Sequence, residues 1–302
     1  MKVIKNYFLI SILLIFSINL LHRQAKTQEL TIAQIARMRA IIGKKKDLND
    51  KLSRTIYYTD DNEELLKEIQ KLLNEGADPT EKAYTGKMRV ATALYWAINK
   101  NRSYEVIQAL LKRKVYPKEK LYEALEEAIV NGNLPIIKLL KQYGTDLTRG
   151  YTLRTAASNG KFDIVDYLIT EGANKTFKDS EGATYKEYAL SWATKNNDLK
   201  RMREFLEIGA DPNQYLNGTV LPLRYAFMQK NDDSIRLLID YGADPYIQFN
   251  CWKSEKRLVI DVVDSDEQRK FVEDYYRIVL KTKLPDILPC MPKEIIEIIA
   301  SY

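Results

Sequence analysis

Apolar positions recur along this chain at helical spacing, and the rhythm keeps breaking on the same kind of residue cluster. Six times an apolar run stops at a tetrapeptide of Gly-Ala-Asp-Pro type: Gly76 to Pro79, Lys114 to Pro117, Gly144 to Leu147, Gly172 to Lys175, Gly209 to Pro212 and Gly242 to Pro245. Their first residues lie 38, 30, 28, 37 and 33 positions apart, about 33 on average, a period at which helix pairs stack into a solenoid. A glycine just past an apolar run suits the left-handed position that ends a helix, and a proline just inside a run suits its first turn. The pattern predicts an all-α array of antiparallel helix pairs, seven between about residues 47 and 281, joined by short hairpin-like loops.

The fullest unit reads Leu221-Pro222-Leu223-Arg224-Tyr225-Ala226, then Ser234 to Ile239, then Tyr241-Gly242-Ala243-Asp244-Pro245. It resembles an ankyrin repeat, in which Thr-Pro-Leu-His-x-Ala opens a first helix, a second apolar helix packs back on it, and Gly-Ala-Asp begins the next loop. A unit from Tyr151 to Asn174 resembles the same family. So does one that opens with the hairpin sequence Asp179-Ser180-Glu181-Gly182-Ala183-Thr184 and closes at Gly209 to Pro212. Earlier units, Thr92 to Ala97 with Val106 to Leu111 and Leu121 to Ile129 with Ile136 to Leu140, fall in phase. The chain departs from the family where Tyr95, Arg154 and Arg224 replace the histidine that ties neighbouring backbone together, which implies less uniform stacking. The short intervals leave no room for a projecting hairpin between the third and fourth pairs. The long ones place protruding loops at Thr80 to Val90, Thr176 to Tyr185 and Asn213 to Val220. Leu258 to Val263 and Phe271 to Leu280 predict a last, degenerate helix pair capping the array over 246–281.

The resemblance implies a non-enzymatic scaffold that holds a protein partner on the concave face, formed by first helices and loop tips. It points to Lys87, Tyr95, Lys100, Ser180, Glu181, Lys195, Asn196, Tyr215, Asn217 and Gln229 as candidate contacts. Among the 20 tyrosines, Tyr122, Tyr143, Tyr167 and Tyr188 fall at helix positions where the ring is buried and the hydroxyl reaches water.

Composition narrows the chemistry. With 45% hydrophobic and 29% charged residues over 302 positions, and only 12 Gly and 9 Pro, the chain is a globular, helix-rich one. The net charge is +6, but 47 basic and 41 acidic residues are interleaved, and the densest run, Lys44-Lys45-Lys46, sits between two expected helices; nucleic-acid binding is not expected. His22 is the sole histidine and lies beside the N-terminal apolar segment, which removes histidine acid/base and metal chemistry from the repeats. Cys251 and Cys290 stand 39 positions apart, outside metal-ligand spacing. The sequence carries no nucleophile elbow, phosphate loop or zinc motif, so no enzyme activity and no cofactor are expected. The array is expected to be monomeric.

Both termini have their own pattern. Lys2 and Lys5 precede fifteen largely apolar residues, Tyr7 to Leu21, the layout of a secretory signal or an uncleaved signal-anchor over residues 1–25. Either would place the array outside the cytosol, exported or membrane-tethered. Residues 26–46 are expected to form an N-terminal helical segment ahead of repeats at 47–245. Residues 282–302 form a C-terminal segment whose Met291-Pro292-Lys293-Glu294-Ile295-Ile296, with Ile299-Ala300-Ser301-Tyr302, resembles the opening of an F-box. One expectation is a short amphipathic helix started at Pro292 and packed on the last pair. The other is a host-directed effector whose repeats select a target and whose end recruits a Skp1-type ubiquitin ligase adaptor.

Overall fold

The structure, a computed structural model, describes residues 32–83, 90–113, 115–216, 221–250, 256–263 and 265–287. Its first five helices and first hairpin, in chain order, are α1 (Ile32–Tyr58), α2 (Asn62–Asn74), β1 (Lys82–Ala83), β2 (Ala91–Thr92), α3 (Ala93–Asn99), α4 (Tyr104–Arg113) and α5 (Lys118–Asn131). There follow α6 (Leu134–Gln142), α7 (Gly150–Ser158), α8 (Phe162–Thr170), α9 (Tyr185–Lys195), α10 (Leu199–Glu207), α11 (Pro222–Met228) and α12 (Asp232–Asp240). A second hairpin, β3 (Gln248–Asn250) with β4 (Lys256–Leu258), leads through a 3₁₀ turn at Val259–Val262 into α13 (Asp266–Ile287).

The tetrapeptides end helices by a shared mechanism. Gly76, Gly144, Gly172, Gly209 and Gly242 hold φ between 83° and 105°, a region costly to any residue with a Cβ. The next amide then turns back to the carbonyl five residues earlier: Ala77 to Leu72, Thr145 to Leu140, Ala173 to Leu168, Ala210 to Phe205 and Ala243 to Leu238, all at 2.9 to 3.1 Å. This satisfies a carbonyl that the helix end leaves orphaned. The following Asp or Asn accepts the amide two residues on, as Asp78 does from Thr80, Asp146 from Thr148, Asn174 from Thr176, Asp211 from Asn213 and Asp244 from Tyr246. Glycine stops the helix, and the Asx turn starts the loop.

A second recurring turn joins the two helices of the five pairs from α3–α4 to α11–α12. The amides of Arg102, Asn133, Lys161, Asp198 and Asn231 donate to the carbonyls of Ala97, Ala128, Ala156, Ala193 and Ala226 at 2.9 to 3.1 Å. These alanines are at most 0% exposed, so the residue that lets neighbouring first helices approach also anchors the turn out of its own helix. First helices pack in succession, α1 on α3, α3 on α5, α5 on α7, α7 on α9, α9 on α11 and α11 on the 3₁₀ turn. The result is one continuous core running from Leu52 to Val272, the quasi-linear arrangement of a repeat stack. Each fully buried leucine or isoleucine of that core, such as Leu94, Leu125 or Ile235, contributes about 1.5–3 kcal/mol by leaving water.

The tie expected to be lost with the histidine is supplied by other side chains. The amide of the Asp in three tetrapeptides is received by Asn49 Oδ1 (Asp78, 2.7 Å), Glu187 Oε1 (Asp211, 3.2 Å) and Asn213 Oδ1 (Asp244, 2.9 Å). Glu187 stands at the histidine position of its unit. Its other oxygen accepts from the Thr184 amide and hydroxyl at 2.7 and 2.6 Å, closing a capping box over α9.

Several sequence expectations need correction. Lys44 to Lys46 do not link two helices: α1 runs unbroken through Gly43 and the boundary at residue 46. It ends where the buried Arg102 takes its last carbonyls, Nε on Ile56 O at 2.9 Å and Nη2 on Tyr57 O at 3.2 Å. Leu258 to Val263 is not an α-helix but the end of β4 followed by the 3₁₀ turn, in keeping with the β-branched Val259, Ile260, Val262 and Val263. The β3–β4 hairpin was not expected, and α13 passes residue 281 to reach Ile287. Of the anticipated loops, Thr80 to Val90 carries the β1–β2 hairpin at its base, and Thr176 to Tyr185 turns on the Asp179 amide, which donates to Ala183 O. The signal or anchor at 1–25, the F-box-like end from Met291, Cys251 and Cys290, and the second half of the loop Asn213 to Val220 lie outside the described residues.

Candidate protein-binding groove

Helices α7, α9 and α11 lie side by side, and their exposed faces wall a depression of about 600 Å³. Spacing explains its composition. On α9, Tyr188, Ser191, Trp192 and Lys195 follow one another at i, i+3, i+4 and i+7, which puts them on one helical face. Arg154, Thr155, Ser158 and Asn159 supply the wall from α7, and Tyr225 supplies it from α11. Thr155, Trp192 and Tyr225 occupy the same register, each one residue before the buried alanine that anchors the turn out of its first helix, and Tyr188 stands one turn earlier on α9, before the buried Ala189.

The floor of the groove is set by polar contacts. Tyr188 is 7% exposed, and instead of reaching water its hydroxyl donates to Asp179 Oδ2 at 2.6 Å. Burial, with the Asp179 contact second, pushes this phenol up to about 12. Burial also works to raise the Asp179 carboxyl. The Tyr188 hydroxyl, the Glu181 and Ala183 amides and the Arg154 charge outweigh it, and the carboxyl stays below its ordinary value. The Arg154 guanidinium lies 5.6 Å from the Tyr188 ring centroid. Trp192 stands edge-on to Phe162, ring centroids 5.2 Å apart, so the indole is braced from behind.

A second, smaller depression of about 330 Å³ adjoins the first at Thr155. Tyr95, Val90, Ala91 and Val130 give it apolar walls, and Glu123, Glu126 and Glu127 of α5 line one side. Glu123 pairs with Lys82 at 3.0 Å and Glu127 accepts from Asn99 Nδ2 at 2.8 Å. Among the described residues no group of three or more His, Cys, Asp or Glu could hold a metal ion.

The sequence-derived contact candidates distribute unevenly. Lys195 and Asn196 line the larger depression, Tyr95 lines the smaller, and Tyr215 is half-buried next to the groove residue Leu216. Ser180 and Glu181 are exposed at the turn that Asp179 organises. Gln229 is committed to its neighbour, donating to Lys195 O at 2.7 Å. Lys100 is taken up by the Tyr57 ring, 3.8 Å from its centroid, away from the groove. Lys87 and Asn217 lie outside the described residues. Sequence reasoning missed Arg154, Tyr188, Trp192 and Tyr225, although the shared register of Thr155, Trp192 and Tyr225 was available to find three of the groove's positions.

A stack of helix pairs closed by left-handed glycine turns, with a peptide-sized groove along its first helices, defines a repeat solenoid of the protein-interaction class. The profile for ankyrin repeats (3 copies) matches residues 57–150 and 153–248. The chain belongs to the ankyrin-repeat family. It is 28% identical to an ankyrin repeat protein of Fowlpox virus over 141 residues, 43% of this chain and 30% of that protein. It is 42% identical to protein phosphatase 1 regulatory subunit 27 of Homo sapiens over 64 residues, 20% of this chain and 42% of that one. An ankyrin repeat-containing protein of Treponema pallidum is 30% identical over 139 residues, 43% of this chain and 46% of the relative. The matches thus span less than half the length of each relative. Among solved structures, the human ASB11 ankyrin repeat domain superposes with a TM-score of 0.48 at 18% identity, covering 76% of this chain and 96% of that one.

Proposed function

We propose that this chain is a non-enzymatic scaffold that holds an extended segment of a protein partner along α7, α9 and α11. The observation that carries this reading is the depression of about 600 Å³ that collects Tyr188, Trp192 and Tyr225 beside Arg154 and Lys195. Aromatic side chains offer large contact area at low entropic cost, and basic groups at the rim orient an acidic side chain. Ser158, Asn159, Ser191 and Asn196 on the same walls supply donors and acceptors for a partner's backbone. The test is affinity capture from the source cells with the full chain, its Lys195→Glu/Tyr225→Ala variant, and an Asp163→Lys/Asp166→Lys variant altered on the second-helix side. Proteins retained by the parent and by the Asp variant, and lost by the groove variant, fit the proposal. Retention that survives the groove changes and fails with the Asp changes overturns it. Residues 1–25 are proposed to export or tether the array, a reading that rests on their signal-like layout; the intact mass of the full chain after cell fractionation tests it.

A further inference from the structure

The first half of α1 stands clear of the array. Residues 34–47 are all exposed, and packing begins only at Leu48 and Asn49, so about 20 Å of helix projects from the stack. This segment carries uncovered apolar side chains: Ile35 is 39% exposed, Met38 51%, Ile41 67% and Ile42 65%. On a helix of 3.6 residues per turn these four fall within an arc of about 120°. Arg37 and Lys44 border one edge of the arc and Arg39 and Lys46 the other. Lys45 falls inside it, and its ammonium turns away to Asp78 at 3.4 Å. Ile42 also edges a hollow of about 450 Å³ shared with the 48% exposed Val90 and rimmed by Lys46, Lys82, Asp50 and Glu81, so the apolar surface continues onto the first repeat, where the charges are mixed.

Charge along the chain is as lopsided as the helix. The first 46 residues hold nine Lys and Arg against Glu29 alone, while the remaining 256 hold 38 basic and 41 − 1 = 40 acidic residues. The whole positive balance of the protein therefore sits on this helix and the segment leading into it. An apolar arc bracketed by long cationic side chains matches the boundary layer of an anionic bilayer, where the stems lie along acyl chains and the charges reach headgroup phosphates. Two alternatives fit less well. A second copy would bring the same four cations against one another, and a nucleic acid would have no use for the apolar arc. The apolar stretch Tyr7 to Leu21 lies directly upstream.

We infer that residues 34–46 of α1 form a membrane-surface helix that lays Ile35, Met38, Ile41 and Ile42 into an anionic lipid leaflet, with Arg37, Arg39, Lys44 and Lys46 on the phosphates. This lipid contact is separate from any made by residues 7–21 and independent of the groove. The experiment uses the full chain with vesicles of phosphatidylcholine alone or with a third phosphatidylglycerol. It reads partitioning together with hydrogen exchange at the amides of residues 36–46. These amides slow about ten-fold or more on the anionic vesicles, because the projecting helix otherwise frays freely. Ile41→Ser/Ile42→Ser abolishes that slowing while leaving exchange in the repeats unchanged, which shows the variant is folded. Arg39→Gln/Lys46→Gln lowers the anionic-to-neutral partition ratio about 25-fold, about five-fold per charge. The inference is overturned if neither variant changes partitioning, which assigns lipid binding to residues 7–21 alone. It is overturned equally if the amides are already slow without vesicles, whether only at high protein concentration, which assigns the face to a second copy, or at every concentration, which assigns it to another part of the chain.

Discussion

Replacing Gly160 by alanine tests how the groove is built, because two costs meet at that residue. Gly160 holds φ at +66° in the turn between α7 and α8, where a Cβ costs about 1–2 kcal/mol. A Cβ built there would also lie 2.2 Å from Cε2, 2.3 Å from Cζ2 and 2.7 Å from Nε1 of Trp192. The indole must therefore swing away. Losing its edge-on contact with Phe162 removes about 0.5–1.5 kcal/mol more, so the expected total is about 2–3 kcal/mol. Gly132 separates the two terms. It sits in the corresponding turn at φ +74°, and its Cβ would meet only the Lys161 side chain at 3.2 to 3.3 Å, which can move aside; Gly132→Ala should show the backbone cost alone. Urea unfolding followed by circular dichroism reads both variants, and also Gly160→Ala in a Trp192→Ala background, where the excess should vanish. Equal losses for Gly160→Ala and Gly132→Ala, or an excess that persists without the indole, would refute the reasoning.

Three further outcomes follow from the same contacts. Glu187→Ala strands the Thr184 and Asp211 amides and should cost about 2–3 kcal/mol, read as a fall in the urea midpoint, with Glu187→Gln recovering part of it. Asn49→Ala removes the acceptor for the buried Asp78 amide and should cost about 1–3 kcal/mol, with faster hydrogen exchange in α1 and α2 than in α11 and α12. Stability should fall at both ends of the pH scale. Asp61, Asp146, Asp179, Glu68 and Glu171 are held below their ordinary values, Asp61 chiefly by the Glu64 and Glu63 amides and Glu68 by Lys51. The unfolded chain therefore binds more protons than the native one as pH drops, and stabilisation that is complete above the unfolded carboxylate range is lost below it, under about pH 4. Buried Tyr188 and half-buried Tyr276, both pushed up to about 12 by desolvation first, give the opposite sign: their contribution is complete below about pH 10 and is lost as pH rises toward 12. Thermal midpoints measured from pH 3 to 12 check both limbs, and a flat profile through either would contradict the assignments.

The repeat frame was legible because its punctuation is local chemistry. A left-handed glycine, a small buried residue and an Asx turn must occur in that order to end one helix and begin the next loop, and the order is visible without any tertiary contact. Elements whose state depends on packing were harder to read. Lys44 to Lys46 look like a link between helices, yet α1 continues through them and ends only just past Ile56 and Tyr57, whose carbonyls are taken by the buried Arg102 of another repeat. The run Leu258 to Val263 has an apolar character that suits either a helix or a strand, and the matter is decided by Leu258 pairing with Gln248 and by the Val259 and Ile260 amides donating to Ile247 O and Pro245 O. The groove was half legible. Lys195 and Asn196 sit where an exposed helix end would place them, whereas Arg154 reads from sequence as a lost histidine and becomes a groove wall only once Tyr188 of the next repeat is set beside it.

The central claim, that partners dock along α7, α9 and α11, is tested most directly by site-specific photocrosslinking in the source cells. A benzophenone amino acid would replace Tyr225 in the groove or Asp163 on the exposed side of α8. A discrete protein adduct from position 225, absent from position 163 and lost when Lys195→Glu is added, is the predicted result. An adduct formed from position 163 and not from 225 would place the interaction surface on the opposite side of the array and contradict the account.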